Sequence, residues 1–274
     1  MSPARKTELA KRLVRYLVDE AREHGNPVPD QISSVAEDDH ADFDQLWLAF
    51  RAMVNVRPPW PAPTDFLVAQ NELLQGMIEE AGIHTIADAE PSSFDDRIRL
   101  WRGDITTIAA DAIVNAANSG MTGCWAPLHY CIDNAIHTFA GVQLRAEMAA
   151  FMEEQGHEQP TAEFAVSAAY NLPAKHIIHI VGPIANGHPT DEQRDQLALC
   201  YAACLDGAEA GMCLSIAFCC ISTGVFGFPQ QEAAEIAVRT VRQWYAENLG
   251  SSLICVFDVF GADDEAIYRN LLLQ

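Results

Sequence analysis

Apolar positions in the first third of the chain recur with the period of a helix. From Thr7 to Glu23 they fall at Leu9, Leu13, Tyr16 and Leu17 with charges between them, and Gly25, Pro27 and Pro29 end the pattern. A second helical stretch spans about Asp42 to Asn55 and stops before Arg57-Pro58-Pro59-Trp60-Pro61. A third spans about Asp65 to Ala81. These predict a small helical layer held by Trp47 and Trp60. From Ile98 the rhythm changes. Arg97–Arg102, Ala112–Asn115, Phe164–Ala169, His176–Val181, Leu214–Ile221 and Leu253–Phe260 read as strands, being short and rich in β-branched, aromatic or small apolar residues. Asp133–Glu154, Thr190–Ala210, Gln230–Asn248 and Asp263–Leu273 read as helices between them. Near-continuously apolar strands separated by helices predict an α/β fold with a mostly parallel sheet covered on both faces. The predicted division is a helical extension over residues 1–95 and an α/β domain over residues 96–274.

A length of 274 residues fits one large domain with an appendage. No apolar run is long enough to span a bilayer, and the start, Met1 to Lys6, leads into an amphipathic segment rather than a signal peptide. The expected location is cytoplasmic. Net charge changes the picture more: 38 acidic residues against 17 basic give −21. Such a surface repels nucleic acid and anionic membranes, so neither is an expected partner. A small anion can still bind where backbone N–H groups converge.

The eight cysteines form no secreted disulfide framework. From Cys200 onward they read as core residues. Cys200 and Cys204 share a helix face, while Cys219 and Cys220 point to opposite faces of a strand. Cys124 and Cys131 are different. With His129 they fall within eight residues, close enough for one loop to wrap a single metal ion. Two thiols and an imidazole suit Zn²⁺, and three ligands leave a coordination position open for chemistry. The alternative is a closed structural site with His137 or another cysteine as fourth ligand. His137 otherwise packs or hydrogen-bonds inside a helix, and His176 and His179 read as core residues of a strand.

Three segments fall at strand ends. In Gly103-Asp104-Ile105-Thr106 the carboxylate suits an exocyclic amine such as that of adenine, or it simply caps the turn. In Asn115-Ala116-Ala117-Asn118-Ser119-Gly120 small residues admit a ligand to the backbone and asparagine can meet sugar hydroxyls, or the segment is turn chemistry. In Ser222-Thr223-Gly224-Val225-Phe226-Gly227-Phe228-Pro229 glycines before a helix let several N–H groups cradle a diphosphate. No Gly-Lys-Ser/Thr follows, so this is not a Walker loop.

Taken in order, these segments resemble the macrodomain, a module that binds ADP-ribose, over roughly residues 97–273. Val181-Gly182-Pro183 belongs to the same likeness. The Cys124–His137 stretch is similar to the zinc-dependent microbial class, which carries an N-terminal helical extension. The resemblance implies a three-layer α/β/α sandwich with a mostly parallel mixed sheet. It implies hydrolysis of mono-ADP-ribose from modified protein side chains, with one Zn²⁺ per chain held by Cys124, His129 and Cys131. By the same carry-over Asp104 takes the adenine amine, Ile105 also contacts ADP-ribose, and Asn118 meets the distal ribose. Ser222, Thr223, Gly224, Val225, Phe226 and Gly227 hold the diphosphate, and Phe260 stacks on adenine. Asp133 and Asn118 are the catalytic candidates. Asp258 stands where relatives carry an amide.

The zinc either orients the sugar through a ribose hydroxyl or activates a water, and the former with a water nucleophile is the favoured expectation. Two other functions remain open: a non-catalytic ADP-ribose reader with a structural zinc, and a deacylase of O-acyl-ADP-ribose. The resemblance further implies, as substrate, a lipoylated carrier protein modified by a sirtuin. Separately from the resemblance, the helical extension is expected to restrict which targets reach the cleft.

Overall fold

The computed structural model describes residues 1–274. Four helices come first: α1 (Pro3–Glu23), α2 (Asp30–Glu37), α3 (Phe43–Val56) and α4 (Thr64–Ala81). Five strands follow: β1 (His84–Thr85), β2 (Glu90–Pro91), β3 (Ile98–Arg102), β4 (Ile108–Ala109) and β5 (Ala112–Ala117). Helices α5 (Ile132–Ala140) and α6 (Val142–Gln155) lead to β6 (Phe164–Ala168) and β7 (His176–Val181). The chain closes with α7 (Asp191–Ala210), β8 (Ser215–Phe218), α8 (Gln230–Glu247), β9 (Ile254–Val259) and α9 (Ala262–Leu272).

Local chemistry starts and stops these elements. Ser2 caps α1 with Pro3 at its first turn, and its side chain accepts from the Arg5 N–H. Reciprocal capping boxes open α3 (Asp42 with Gln45) and α7 (Thr190 with Gln193). Leu9, Leu13 and Leu17 of α1 meet Phe50 of α3 and Leu73 of α4 in a helical core separate from that of the sheet. Trp47 stacks on Phe50, and its ring lies 5.6 Å from that of Phe139 on α5. Trp60 stacks on His24 at 3.9 Å. A buried ion pair also crosses this layer: Arg57, just past α3, donates to both Glu20 carboxylate oxygens at 2.6 and 2.7 Å.

The main sheet has seven strands in the order β2-β3-β9-β8-β5-β7-β6. Its five central strands are parallel, and the edges β2 and β6 are antiparallel. A parallel two-stranded patch of β1 and β4 lies apart from it. Helices α5 and α6 pack together, and α7, α8 and α9 form a second group, giving a three-layer α/β/α sandwich. Residues 112–115 of β5, 177–181 of β7 and 255–259 of β9 are continuously buried, as strands covered on both faces must be.

Five expectations need correction. The stretch Asp133–Glu154 is two helices, because Gly141 between them takes φ +102° and a Cβ there would lie 2.5 Å from Gln70 Nε2. Helix α2 was not expected: only Ala36 of its eight residues is buried, so it carries no apolar stripe. Ala116 and Ala117 continue strand β5 beyond the expected end at Asn115, and the turn begins at Asn118. Strand β8 ends at Phe218, so Cys219 and Cys220 lie beyond it rather than alternating within it. His176 begins β7 at an exposed position, whereas His179 is fully buried.

Candidate active site

In a doubly covered parallel sheet the backbone groups at the carboxyl ends of the strands open into a crevice. Here five strands feed one cleft of about 830 Å³. Asp104 and Ile105 follow β3, Asn118 follows β5, Gly182 follows β7, Cys219 and Cys220 follow β8, and Asp258 and Phe260 lie at the end of β9. The lining also includes Cys124, His129, Cys131, Asp133 and residues 222–226. Gly227 is not part of it. That glycine closes the loop at φ +66°, its N–H donating to Gly224 O and its carbonyl accepting from Gly187.

The thiol and imidazole donors gather at one end of the cleft. The ligand atoms of Cys124, His129 and Cys131 all lie within 4.8 Å of one another, and Cys124 Sγ is 3.4 Å from His129 Nδ1. Tetrahedral zinc, with sulfur near 2.3 Å and nitrogen near 2.0 Å, sets such a pair about 3.6 Å apart, so the donor set fits. His137 does not join it. The ring is buried beneath Gly123, and its Nε2 lies 3.6 Å from Asp133 Oδ1. Burial first, then the neighbouring Cys124 and Asp133 charges, push the Cys131 thiol up to about 12. A thiol so placed ionises when a cation takes the place of its proton, which is what metal ligation does.

Beside this cluster, Asp133 sits in the first turn of α5 at 5% exposure. Asn115 Nδ2 donates to its Oδ1 at 2.8 Å and Asn118 Nδ2 to its Oδ2 at 3.3 Å. Burial raises this carboxyl to about 6 against those two donors and the Arg145 charge. Asn118 is heavily engaged: Nδ2 also donates to Gly123 O at 3.1 Å, and Oδ1 accepts from the Gly120 N–H. Behind it, Asn115 Nδ2 also donates to His179 Nδ1 at 3.0 Å, and His179 Nε2 meets Ser167 Oγ at 2.9 Å. Burial pulls His179 down to about 3, so the ring is neutral. With Nδ1 accepting, Nε2 carries the proton and donates to Ser167.

At the other end Asp104 does both things its position allows. It accepts from the Thr106 N–H at 2.9 Å, capping the short turn, and it lines the cleft. Asp258 lies nearby at 6% exposure with Oδ1 unpaired. Burial first and the Asp104 charge second hold its carboxyl well above the usual range. A protonated carboxyl offers one donor and one acceptor, as an amide does, which explains how an acid occupies this position. Between the two ends, the backbone N–H groups of Gly224, Val225 and Phe226 have no intramolecular acceptor. Ser222 takes φ +65°, and its hydroxyl lies so close to Gly182 that a Cβ there would overlap it. Phe260 stands at the rim, 74% exposed. Arg51 of α3 is the one lysine or arginine along the cleft wall.

Known proteins resemble this chain in sequence and fold. The Macro domain family model matches residues 114–237. A protein-ADP-ribose hydrolase of Treponema medium is 49% identical over 263 residues, covering 95% of this chain and 96% of its own. This chain belongs to the macro domain family. A Staphylococcus aureus (strain MRSA252) protein-ADP-ribose hydrolase is 45% identical over 230 residues, covering 84% of this chain and 85% of its own. The Trypanosoma brucei macrodomain solved in complex with ADP-ribose superposes with a TM-score of 0.61 at 30% identity, over 81% of this chain and 94% of that one.

This macro domain also brings to the site residues that no local pattern marked. Asn55 of α3 and Arg145 of α6 touch the loop from elsewhere in the sequence, and Arg51 of α3 reaches Asn134 in the first turn of α5. Asn115, read both as the end of a strand and as the start of the turn, is the fully buried inner support of Asp133.

Proposed function

We propose that this macro domain is a zinc-dependent, glycosidase-type hydrolase that releases mono-ADP-ribose from modified protein side chains. One observation carries the reading: the Cys124-His129-Cys131 donors and the buried Asp133 open into one end of the cleft, whose other end carries Asp104 and Phe260. The names of the Treponema and Staphylococcus relatives and the ADP-ribose bound to the trypanosomal one support it.

In this reading Asp104 and Ile105 receive the adenine edge, and Phe260 stacks on the ring. The free N–H groups of residues 224–226 hold the diphosphate, so binding energy is gained far from the scissile bond. The distal ribose then reaches the metal-donor end, where zinc held by Cys124, His129 and Cys131 would supply Lewis acidity toward the sugar. Asp133, fixed by Asn115 and Asn118, accepts the proton of the attacking water. Asn118 acts chiefly by holding Asp133 and the Gly123 turn, since its amide hydrogens are already engaged.

The test is release of ADP-ribose from a mono-ADP-ribosylated protein by the chain as purified, stripped of metal, and restored with one zinc per chain. A lipoylated carrier modified by a sirtuin belongs among the substrates. Activity lost and regained with zinc supports the proposal, and Cys131→Ala should then abolish turnover while ADP-ribose still binds. Binding without release from any substrate would leave a reader in its place. Release confined to O-acyl-ADP-ribose would make it a deacylase.

A further inference from the structure

The three metal-donor residues come from one loop, yet, besides its own turn and the Asn118 bond to Gly123 O, each donor's anchor leads out of the loop to helix α3. At the Cys124 end, the buried Arg145 of α6 donates through Nε to Thr122 O at 2.7 Å and through Nη2 to Cys124 O at 3.5 Å. Its Nη1 turns the other way, to the carbonyls of Val54 at 2.9 Å and Arg57 at 2.8 Å. Those carbonyls belong to the C-terminal end of α3, where no intrahelical donor is left for them. At the His129 end, the preceding residue Leu128 takes a left-handed φ of +58°, which a branched side chain rarely adopts. Its N–H is held at 3.0 Å by Oδ1 of Asn55, a buried α3 residue whose Nδ2 donates to Thr138 Oγ1 at 3.1 Å. At the Cys131 end, the Asn134 N–H donates to Cys131 Sγ at 3.4 Å and Asn134 Nδ2 to Ala126 O at 3.2 Å. Arg51 of α3 donates to the same asparagine's Oδ1 at 3.3 Å.

All three donors are thus braced, directly or through one side chain, against a single helix of the N-terminal layer. The loop closes one turn of its own, with the His129 N–H donating to Ala126 O at 3.2 Å, but the third position of that turn is a left-handed leucine, a conformation that needs support from outside. We infer that α3 is the strut that preorganises the metal loop, with Asn55 as a positioning residue that sets His129 through the Leu128 backbone. The inference rests on the proposed metal site. It gives the helical layer a role in metal retention, separate from any contact with the modified protein.

The experiment measures zinc affinity of the full-length chain by competition with a chromogenic chelator, alongside ADP-ribose affinity by calorimetry. Asn55→Ala removes the acceptor for the Leu128 N–H and should weaken zinc binding about 10- to 100-fold, as loss of an outer support of a metal ligand does. ADP-ribose affinity, set at the far end of the cleft, should stay within about threefold. Thr138→Val removes the other Asn55 partner, together with the 3.5 Å contact from Thr138 Oγ1 to Asn134 Oδ1. It leaves the Leu128–Asn55 bond and the Asn134 bonds to Cys131 and Ala126 in place, and it should retain near-wild-type zinc affinity. Asn55→Asp keeps an acceptor for Leu128, the Thr138 hydroxyl can donate to it in exchange for its long 3.5 Å contact with Asn134 Oδ1, and the variant should recover most of the loss. Should Asn55→Ala not fold, Arg51→Met, which removes the α3 brace on Asn134 at the Cys131 end, takes its place: weaker zinc binding supports the strut, and wild-type affinity overturns it. Wild-type zinc affinity in Asn55→Ala, or an equal loss in Thr138→Val, overturns it. A wild-type chain that takes up no zinc removes the metal reading itself, a different and distinguishable result.

Discussion

Asp258 permits a prediction whose sign and slope both follow from its surroundings. The side chain lies in β9 at 6% exposure, Oδ1 has no partner, and burial together with Asp104 raises its carboxyl well above the usual range. The folded protein therefore holds this proton at pH values where the unfolded chain, with an aspartate value near 3.9, has lost it. Stability consequently falls as pH rises from that value through the folded one, by up to about 1.4 kcal/mol per pH unit for one proton. Asp258→Asn keeps the shape and cannot ionise. Its stability relative to wild type should be near equal at about pH 4 and should grow with pH, reaching about 2.7 kcal/mol over each two-unit interval below the folded titration point. Urea unfolding at matched pH values from 4.5 to 8, with metal content held equal, measures the difference and cancels the other titrating groups. Parallel curves for the two proteins would refute the buried-proton argument, and a wild type that gains on the variant with rising pH would reverse it.

Three further outcomes follow from particular contacts. Arg57→Met strands the buried Glu20 carboxylate and should cost about 3–5 kcal/mol in urea unfolding, whereas the double variant Glu20→Gln/Arg57→Met should regain most of it. Gly123→Ala combines a left-handed φ of +85° with a Cβ 2.8 Å from the His137 ring, so it should destabilise clearly more than Gly156→Ala, where φ is +74° and the space is open. The Gly156 change alone should cost about 1–2 kcal/mol, and equal melting-temperature losses in the two would count against the clash. Phe260→Ala should leave stability within about 0.5 kcal/mol because the ring is exposed, yet lose about 1–3 kcal/mol of ADP-ribose affinity by calorimetry if it stacks on the base.

What was legible in the chain was whatever depends on neighbours in sequence. The helices α1, α3 and α4 follow from stripes such as Leu9-Leu13-Leu17, and the central strands from unbroken apolar runs. The Cys-His-Cys cluster could be read because all three donors sit on one loop. The errors share a cause. Gly141 looks like a tolerated helix glycine until Gln70, seventy residues earlier, is seen to occupy the space of its missing Cβ. Asn115 reads both as the last residue of a strand and as the first of a turn, and only the buried Asp133 on the adjoining helix α5 explains why it belongs to the strand. Asn55, Arg51 and Arg145 carry no motif at all. Their meaning lies in carbonyl and N–H groups brought to them by the docking of the helical layer on α5 and α6.

The acidity of the whole molecule makes a last prediction about how the cleft holds an anion. With a net charge of −21 and Arg51 as the sole cationic side chain on the cleft wall, long-range electrostatics oppose a diphosphate. The attraction proposed here is short-range, from the unpaired N–H groups of Gly224, Val225 and Phe226. These two contributions respond differently to salt. Contacts inside the cleft change little, while repulsion from surface carboxylates is screened as the Debye length shrinks from about 30 Å at 0.01 M to about 8 Å at 0.15 M. ADP-ribose affinity should therefore strengthen, by a few-fold, as ionic strength rises across that range. A phosphate site built on lysine and arginine behaves in the opposite way, because salt competes with its cations. Calorimetric titrations at the two salt concentrations decide the matter, with sodium chloride as the only variable. A loss of affinity with salt would mean that Arg51, or a cation bound in the cleft, dominates, and the N–H cradle would then be secondary.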